Sequence, residues 1–288
     1  MPLWFLLTLG GVLFVSFAEI AQKIVISGKS EISAETNNFI VWGIQSFFAF
    51  IFIIFFASHD FSLLSHIPLN FLLIIPVLYF WGGTLYYSSY KEGSVSISNI
   101  LVGISSVVST FLGITFFGES SNLYKLIGLL LIIIAIVFVN YSKNQKLTRS
   151  NLLALAGGVI FGLTFTFDKR FVLNIGPHLY QFLLCFSVAA ISLVFRGKKI
   201  ISELKNVKIA DLKVMFMSAT FFFGYNKLLF WAYQNSGEVG RIDAINNTVI
   251  FFVIVLEFLI LKERSNMFRK FVAAVIAFTG VTLLALAK

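Results

Sequence analysis

Four basic side chains, Lys23, Lys169, Arg170 and Lys227, fall inside long apolar runs, together with the carboxylates of Glu19, Asp168, Asp243 and Glu257. Ionisable groups in a membrane interior are costly, so each marks either a polar path or a built partner. Glu19 and Lys23 lie one helical turn apart and can pair on one face. Asp168 adjoins Lys169 and Arg170 late in another run. The two clusters read as gates or substrate-charge contacts at the two ends of a cavity, and the bland reading of Lys23 and Arg170 is snorkelling to the interface. Asn226 and Lys227 stand near the middle of a third run. A lysine that deep needs a carboxylate, a water-filled cavity or an anionic ligand; Glu257 and Asp243 are its candidate partners. Asp243, Asn246 and Asn247 recur at helical spacing. That face suits a cavity wall or a coupling proton, or interhelical hydrogen bonding.

Two aromatic sets, Trp81, Tyr86, Tyr87 and Tyr90, and Tyr225, Trp231 and Tyr233, suit either an organic ligand or an interfacial belt. Tyr86 and Trp231 are the candidates for a cavity. Glu119 and Glu263 close apolar runs next to loops and read as structural. His59, His66 and His178 lie in or near loops without metal-ligand spacing and read as solvated. The lone Cys185 excludes an internal disulfide and reads as a packing residue. There is no phosphate-binding Walker loop, no dinucleotide fingerprint and no zincin motif, so no cofactor or metal is expected and an ATP-driven pump is disfavoured.

These residues need elements to hold them, and the composition says which. The 288 residues are 58% hydrophobic and 12% charged, with mean hydropathy +0.92. A soluble fold of this size is about a quarter charged, so lipid must cover part of the surface. Spans of about 20 apolar residues are expected at 3–26, 37–57, 69–90, 94–117, 123–141, 151–174, 178–195, 212–235, 239–261 and 268–287. The runs are long and continuous, which excludes a β-barrel. The first run lacks a basic flank and is too long for a signal peptide, so it reads as a spanning helix. Lys91-Glu92-Gly93 and Asn235-Ser236-Gly237 form tight turns, and Pro76 should kink or interrupt the third span. The net charge of +9 sits mostly in short loops, which speaks for membrane topology rather than nucleic-acid binding.

Displaced by 144 residues, the sequence aligns Leu85–Phe138 with Leu229–Thr282 without a gap. Gly93 meets Gly237, Val95 meets Val239, Asn99 meets Asp243, and Glu119 to Lys125 meets Glu263 to Arg269. A displacement of 146 brings Gln22-Lys23 onto Asp168-Lys169. Each half then holds five helices, an odd number, so the second enters the membrane inverted. The expected fold is all-α and integral to the membrane: ten transmembrane helices as two inverted five-helix repeats around a central cavity. The repeats cover 1–142 and 151–288, joined by a linker at 143–150.

The five-plus-five count, Lys23 and Lys169 late in the first helix of each half, the glycine turns, and the Glu119 and Glu263 closures resemble the drug/metabolite transporter superfamily, specifically its EamA-like branch. Lys262 departs from the family's Gly-Glu pattern, which Gly118-Glu119 keeps. The resemblance implies a secondary transporter rather than an enzyme, with the lipid bilayer and a small polar metabolite, such as an amino acid, as partners. A coupling proton, and a monomer or a homodimer, are compatible with it. The alternatives are a lipid-linked-sugar flippase or a non-transporting subunit of a membrane complex. An intramembrane enzyme would need catalytic groups clustered at one depth. Most of the 22 Lys and Arg residues lie in odd-numbered loops, which places those loops in the cytoplasm and both termini outside the cell (inner) membrane.

Overall fold

Apolar runs of this length satisfy their backbone groups in lipid by coiling into helices, and the chain does so nearly throughout. The computed structural model describes residues 2–28, 32–56, 69–140, 148–235 and 238–286. His59, His66, Ser236-Gly237 of the second glycine turn, and 143–147 of the expected linker lie outside the described residues. The helices are α1 (Leu3–Ile26), α2 (Ala34–Phe56), α3 (Leu69–Ser89), α4 (Val95–Val102), α5 (Ile104–Phe117), α6 (Leu123–Asn140) and α7 (Arg149–Ile175). They continue as α8 (Pro177–Leu204), α9 (Ile209–Gln234), α10 (Val239–Asn246), α11 (Val249–Leu256), a π segment (Glu257–Leu261) and α12 (Met267–Leu286). Seven stretches are long and apolar enough to cross a membrane: α1, α2, Val95–Phe117, α7, α8, Val239–Leu261 and Met267–Leu284. Large exposed apolar side chains, such as Phe55, Phe116 and Phe268, give the bundle a surface suited to lipid.

The helices pack across the two halves of the sequence. α1 lies on α9, α3 on α7, α2 on α8 and α6 on α12. The α6–α12 contact is backbone to backbone: a Cβ on Gly128 would stand 2.6 Å from the carbonyl oxygen of Gly280, and the reverse holds equally. Small residues permit this approach, which supplies dispersion energy where lipid removes the hydrophobic drive. One apolar cluster runs through α1, α2, α3, α7, α8 and α9, and a second joins α4, α6, α10 and α12.

One expectation changes. The stretch between the expected spans 178–195 and 212–235 is mostly helical, because α8 continues past a non-helical Arg196 (φ −134°, ψ 18°) to Leu204. The third span includes Pro76 within α3, where the proline ring leaves one helical hydrogen bond unmade. Lys262 adopts the same left-handed backbone as Gly118, with φ of 56° against 63°. The departure from glycine therefore keeps the helix-ending geometry and accepts a steric cost.

Both long apolar stretches built from paired helices tighten in the middle, where the backbone stays right-handed (φ −53° at Gly103, −66° at Asn247 and Thr248) and i→i+3 bonds join the ladder. α4 gives way to α5 at Gly103, and α10 to α11 at Asn247-Thr248. Gly103 and Asn247 are 144 residues apart, the displacement of the internal repeat. The same tightening thus occurs at the same register in each half.

Candidate functional site

The side chains around the two tightened turns face one cavity of about 100 Å³. Asn99, Val102 and Ser105 come from the first helix pair, and Asp243, Asn246, Asn247 and Val249 from the second. Asn38, Val41, Trp42 and Gln45 of α2 form another wall; their spacing places them on one helical face. Tyr79, Gly83, Tyr86 and Tyr87 do the same on α3. Val15 and Glu19 of α1, Phe161 and Phe165 of α7, and Phe222, Tyr225 and Asn226 of α9 complete the lining. Aromatic faces, amides and two carboxylates converge there, and no Lys or Arg is among the lining residues.

Of the residues singled out by sequence, Glu19, Tyr86, Asn226, Asp243 and Asn247 meet at this cavity. Glu19 accepts hydrogen bonds at Oε2 from the hydroxyls of Tyr86, at 3.2 Å, and Tyr90. Asp243 accepts from Ser105, at 3.0 and 3.2 Å, and from Ser109, at 2.9 Å. Asn247 donates to Ser106 at 2.6 Å, and Asn226 donates to Gln45 at 2.9 Å. Asp168 lies just behind the lining, accepting from the hydroxyls of Tyr79 and Tyr180. Among the described residues, the ion pairs formed leave out Glu19, Asp168 and Asp243. All three carboxylates are instead held by hydroxyl donors.

The lysines go elsewhere. Lys23 does not pair with Glu19: its ammonium donates to the carbonyls of Tyr90, at 2.5 Å, and Gly93, at 2.8 Å. The turn after α3 exposes these end-of-helix acceptors, while the tyrosines claim the carboxylate. Lys227 does not pair with Asp243 or Glu257. Its ammonium lies 3.0 Å from Nδ1 of His178 and 4.0 Å from the centroid of Phe52. His178, expected to be solvated, is packed edge-on against Trp231, and Trp231 is not among the lining residues.

Lys169 and Glu257 belong to two end networks. Glu119 Oε1 accepts from Lys169 at 3.3 Å and from the backbone N–H of Val239, the first residue of α10, at 2.9 Å. Glu257 Oε1 accepts from the backbone N–H of Val95, the first residue of α4, at 2.8 Å. Its Oε2 accepts from Ser96 and from Lys270, the latter at 3.0 Å with both side chains fully buried. Each carboxylate thus satisfies an orphan donor at a helix start and complements that end of the helix dipole.

Sequence reasoning missed Asn38, Gln45, Tyr79, Phe161, Phe165 and Ser105. The one-face spacing of Asn38 and Gln45 in an otherwise apolar run was the available signal. The aromatic and serine lining had none, because such residues are equally common at packing interfaces. Cys185 is buried, as a packing residue would be. Among the described residues, no group of three or more His, Cys, Asp or Glu side chains is placed to hold a metal ion.

The EamA-like transporter family model matches the chain twice, over residues 2–141 and 148–286. No curated protein matches. A solved structure titled only "Crystal structure of protein" superposes with a TM-score of 0.71 at 12% identity, covering 98% of this chain and 97% of that one. At that identity the likeness is one of fold.

Proposed function

The chain belongs to the EamA-like transporter family, a group of multi-pass membrane transporters, and from that premise we propose that it carries a small polar metabolite, an amino acid or related compound, across the cytoplasmic membrane by alternating access. The observation that carries this reading is the cavity at the two tightened turns, walled by carboxylate, amide and aromatic side chains from both halves. A polar cavity between two inverted halves is the recurring transporter solution to placing polar groups in lipid.

In this reading α3, α6 and α9 also span, giving ten spans in two inverted halves, 1–142 and 151–288 around the 143–150 linker. The cross-half packing of α1 on α9 and α3 on α7 supports it, since a two-fold exchange of the halves turns one contact into the other. The two end networks, at the starts of α4 and α10, then lie at opposite faces and open in turn. Glu19, Tyr86, Asn226, Asp243 and Asn247 contact cargo. Asp168 and Asp243 are the sites for a coupling proton, being carboxylates held by hydroxyls alone. Lys23, Lys169 and Glu257 fasten the gates, and Lys227 and Trp231 support the wall behind them.

The test is counterflow into proteoliposomes loaded with single metabolites, after a melting-temperature screen of the purified protein. A ligand at a hundredfold excess over its Kd stabilises the folded form by about 2.7 kcal/mol. Saturable exchange lost in Asp243→Asn supports the reading. A protein that moves labelled lipid between leaflets and no soluble solute is a flippase, and this reading fails. A reporter at the C-terminus that is active only in the cytoplasm overturns the external placement of the termini.

A further inference from the structure

The cavity has an electrostatic sign that the sequence did not forecast. The intramembrane lysines expected beside a ligand's anionic group are all committed outside it: Lys23 to two backbone carbonyls, Lys169 to Glu119, and Lys227 against His178 and Phe52. What remains at the wall is Glu19 and Asp243. Asp243 is occupied by two serine hydroxyls. Glu19 is only half occupied. Both tyrosine hydroxyls reach Oε2, and no donor among the described residues bonds to Oε1.

A second observation points independently to a ligand. Asn246 is 7% exposed and lines the cavity, and both its Oδ1 and its Nδ2 are buried without a hydrogen-bond partner. An unpaired buried polar atom costs about 1–3 kcal/mol. An amide with both ends unpaired therefore calls for something that accepts and donates in the same space. Aromatic rings, Trp42, Phe161, Phe165 and Phe222, stand among the remaining amide and aliphatic lining, and an aromatic ring attracts a cation at its negative face and repels an anion there.

We infer that the cargo is a small organic cation, an amine whose positive charge is not balanced by a carboxylate of its own. Its ammonium binds Oε1 of Glu19 among the aromatic faces, and a neighbouring polar group on it engages the Asn246 amide. This rests on the transport reading and narrows its cargo from an amino acid or related compound to the related amine. A zwitterionic amino acid would bring a carboxylate into a wall with no cation to meet it, and that desolvation is expensive. A net anion would add repulsion from Glu19 and Asp243. The volume of about 100 Å³ favours a compact amine.

The experiment uses matched triads with one apolar body and three charge states: isopentylamine, leucine and isocaproate; phenethylamine, phenylalanine and hydrocinnamate. Binding to the purified full-length protein is measured by calorimetry, and exchange by counterflow in proteoliposomes. The expected result is that the amine of at least one triad binds ten times or more tightly than its amino acid, and that the carboxylate does not bind. Glu19→Gln, which keeps the shape and an acceptor for the tyrosines, should weaken amine binding at least tenfold. Asn246→Ala should leave binding of these two amines unaffected and weaken that of their hydroxymethyl analogues, leucinol and phenylalaninol. If an amino acid or a carboxylate binds and exchanges while its amine does not, the cation assignment is wrong and the transport reading stands. Amine affinity unchanged by Glu19→Gln also overturns the assignment. If no solute, in these triads or a wider metabolite set, exchanges through a well-folded protein, both readings fall.

Discussion

Removing one buried charge should be undone by neutralising its partner. Lys270 and Glu257 form a 3.0 Å ion pair with both side chains at 0% exposure. Glu257 also caps the start of α4 through Val95 and Ser96. Lys270→Met leaves Glu257 charged and out of water, with two hydrogen bonds but no counter-ion. Breaking a buried pair from one side costs about 3–5 kcal/mol. For a chain of this size that lowers the melting temperature on the order of 10 °C. Glu257→Gln alone keeps an acceptor for the Val95 N–H, and Lys270 retains Glu263 at 3.3 Å. It should cost about 1.5–3 kcal/mol, the worth of a hydrogen bond to a charged group. The double variant removes both charges and keeps the neutral cap, so adding Glu257→Gln to Lys270→Met should recover about 2 kcal/mol of the loss. The assay is fluorescence-monitored melting of all four proteins in one detergent. A double variant as unstable as Lys270→Met, or more so, would mean that the uncompensated charge is not what Lys270 serves to neutralise, and the reasoning fails.

Three other outcomes follow from the same geometry. Tyr79→Phe removes one of the two hydroxyls that hold Asp168, and should cost about 1.5–3 kcal/mol, read as a lower melting temperature. Lys262→Gly relieves a non-glycine residue at φ 56° and should stabilise the protein by about 1 kcal/mol in the same melt. Gly128→Leu places its Cβ 2.6 Å from the carbonyl of Gly280, so α6 and α12 must separate; the protein should lose its monodisperse peak in size exclusion.

The helices were legible because lipid forces long apolar runs into one conformation, and the runs at 3–26 and 239–261 end where α1 and the π segment end. The mid-helix tightenings were not. Gly103 is one small residue in an apolar run, and Asn247 reads as one more polar position on a helical face. At the site, helical spacing brought Asp243 and Asn247 to the cavity wall, because residues three and four apart share a face. The lysines were misplaced for a physical reason. Spacing says that Glu19 and Lys23 can meet, but it says nothing of Tyr86 and Tyr90 from another helix, whose hydroxyls take the carboxylate first. Competition among partners from distant segments is three-dimensional information.

The end networks show the same limit inside the internal repeat itself. By displacement, Glu119 corresponds to Glu263, and Glu257 corresponds to Gly113. Yet the carboxylate that caps α10 belongs to Glu119, and the one that caps α4 belongs to Glu257. Gly113 explains the exchange. A Cβ placed there would stand 2.6 Å from Oε2 of Glu119, so the Glu119 carboxylate fills the space that a side chain at position 113 would have used. In the second half, Glu257 supplies the carboxylate from that position directly, and Glu263 turns outward to Lys270 and Ser265. The orphan N–H at each helix start sets the requirement, and either register can meet it. Each half therefore keeps a buried capping carboxylate paired with a lysine, Lys169 on one side and Lys270 on the other, although the lysines are not related by the displacement either. The pairs differ in burial: Lys169 is 14% exposed, whereas Lys270 is fully buried.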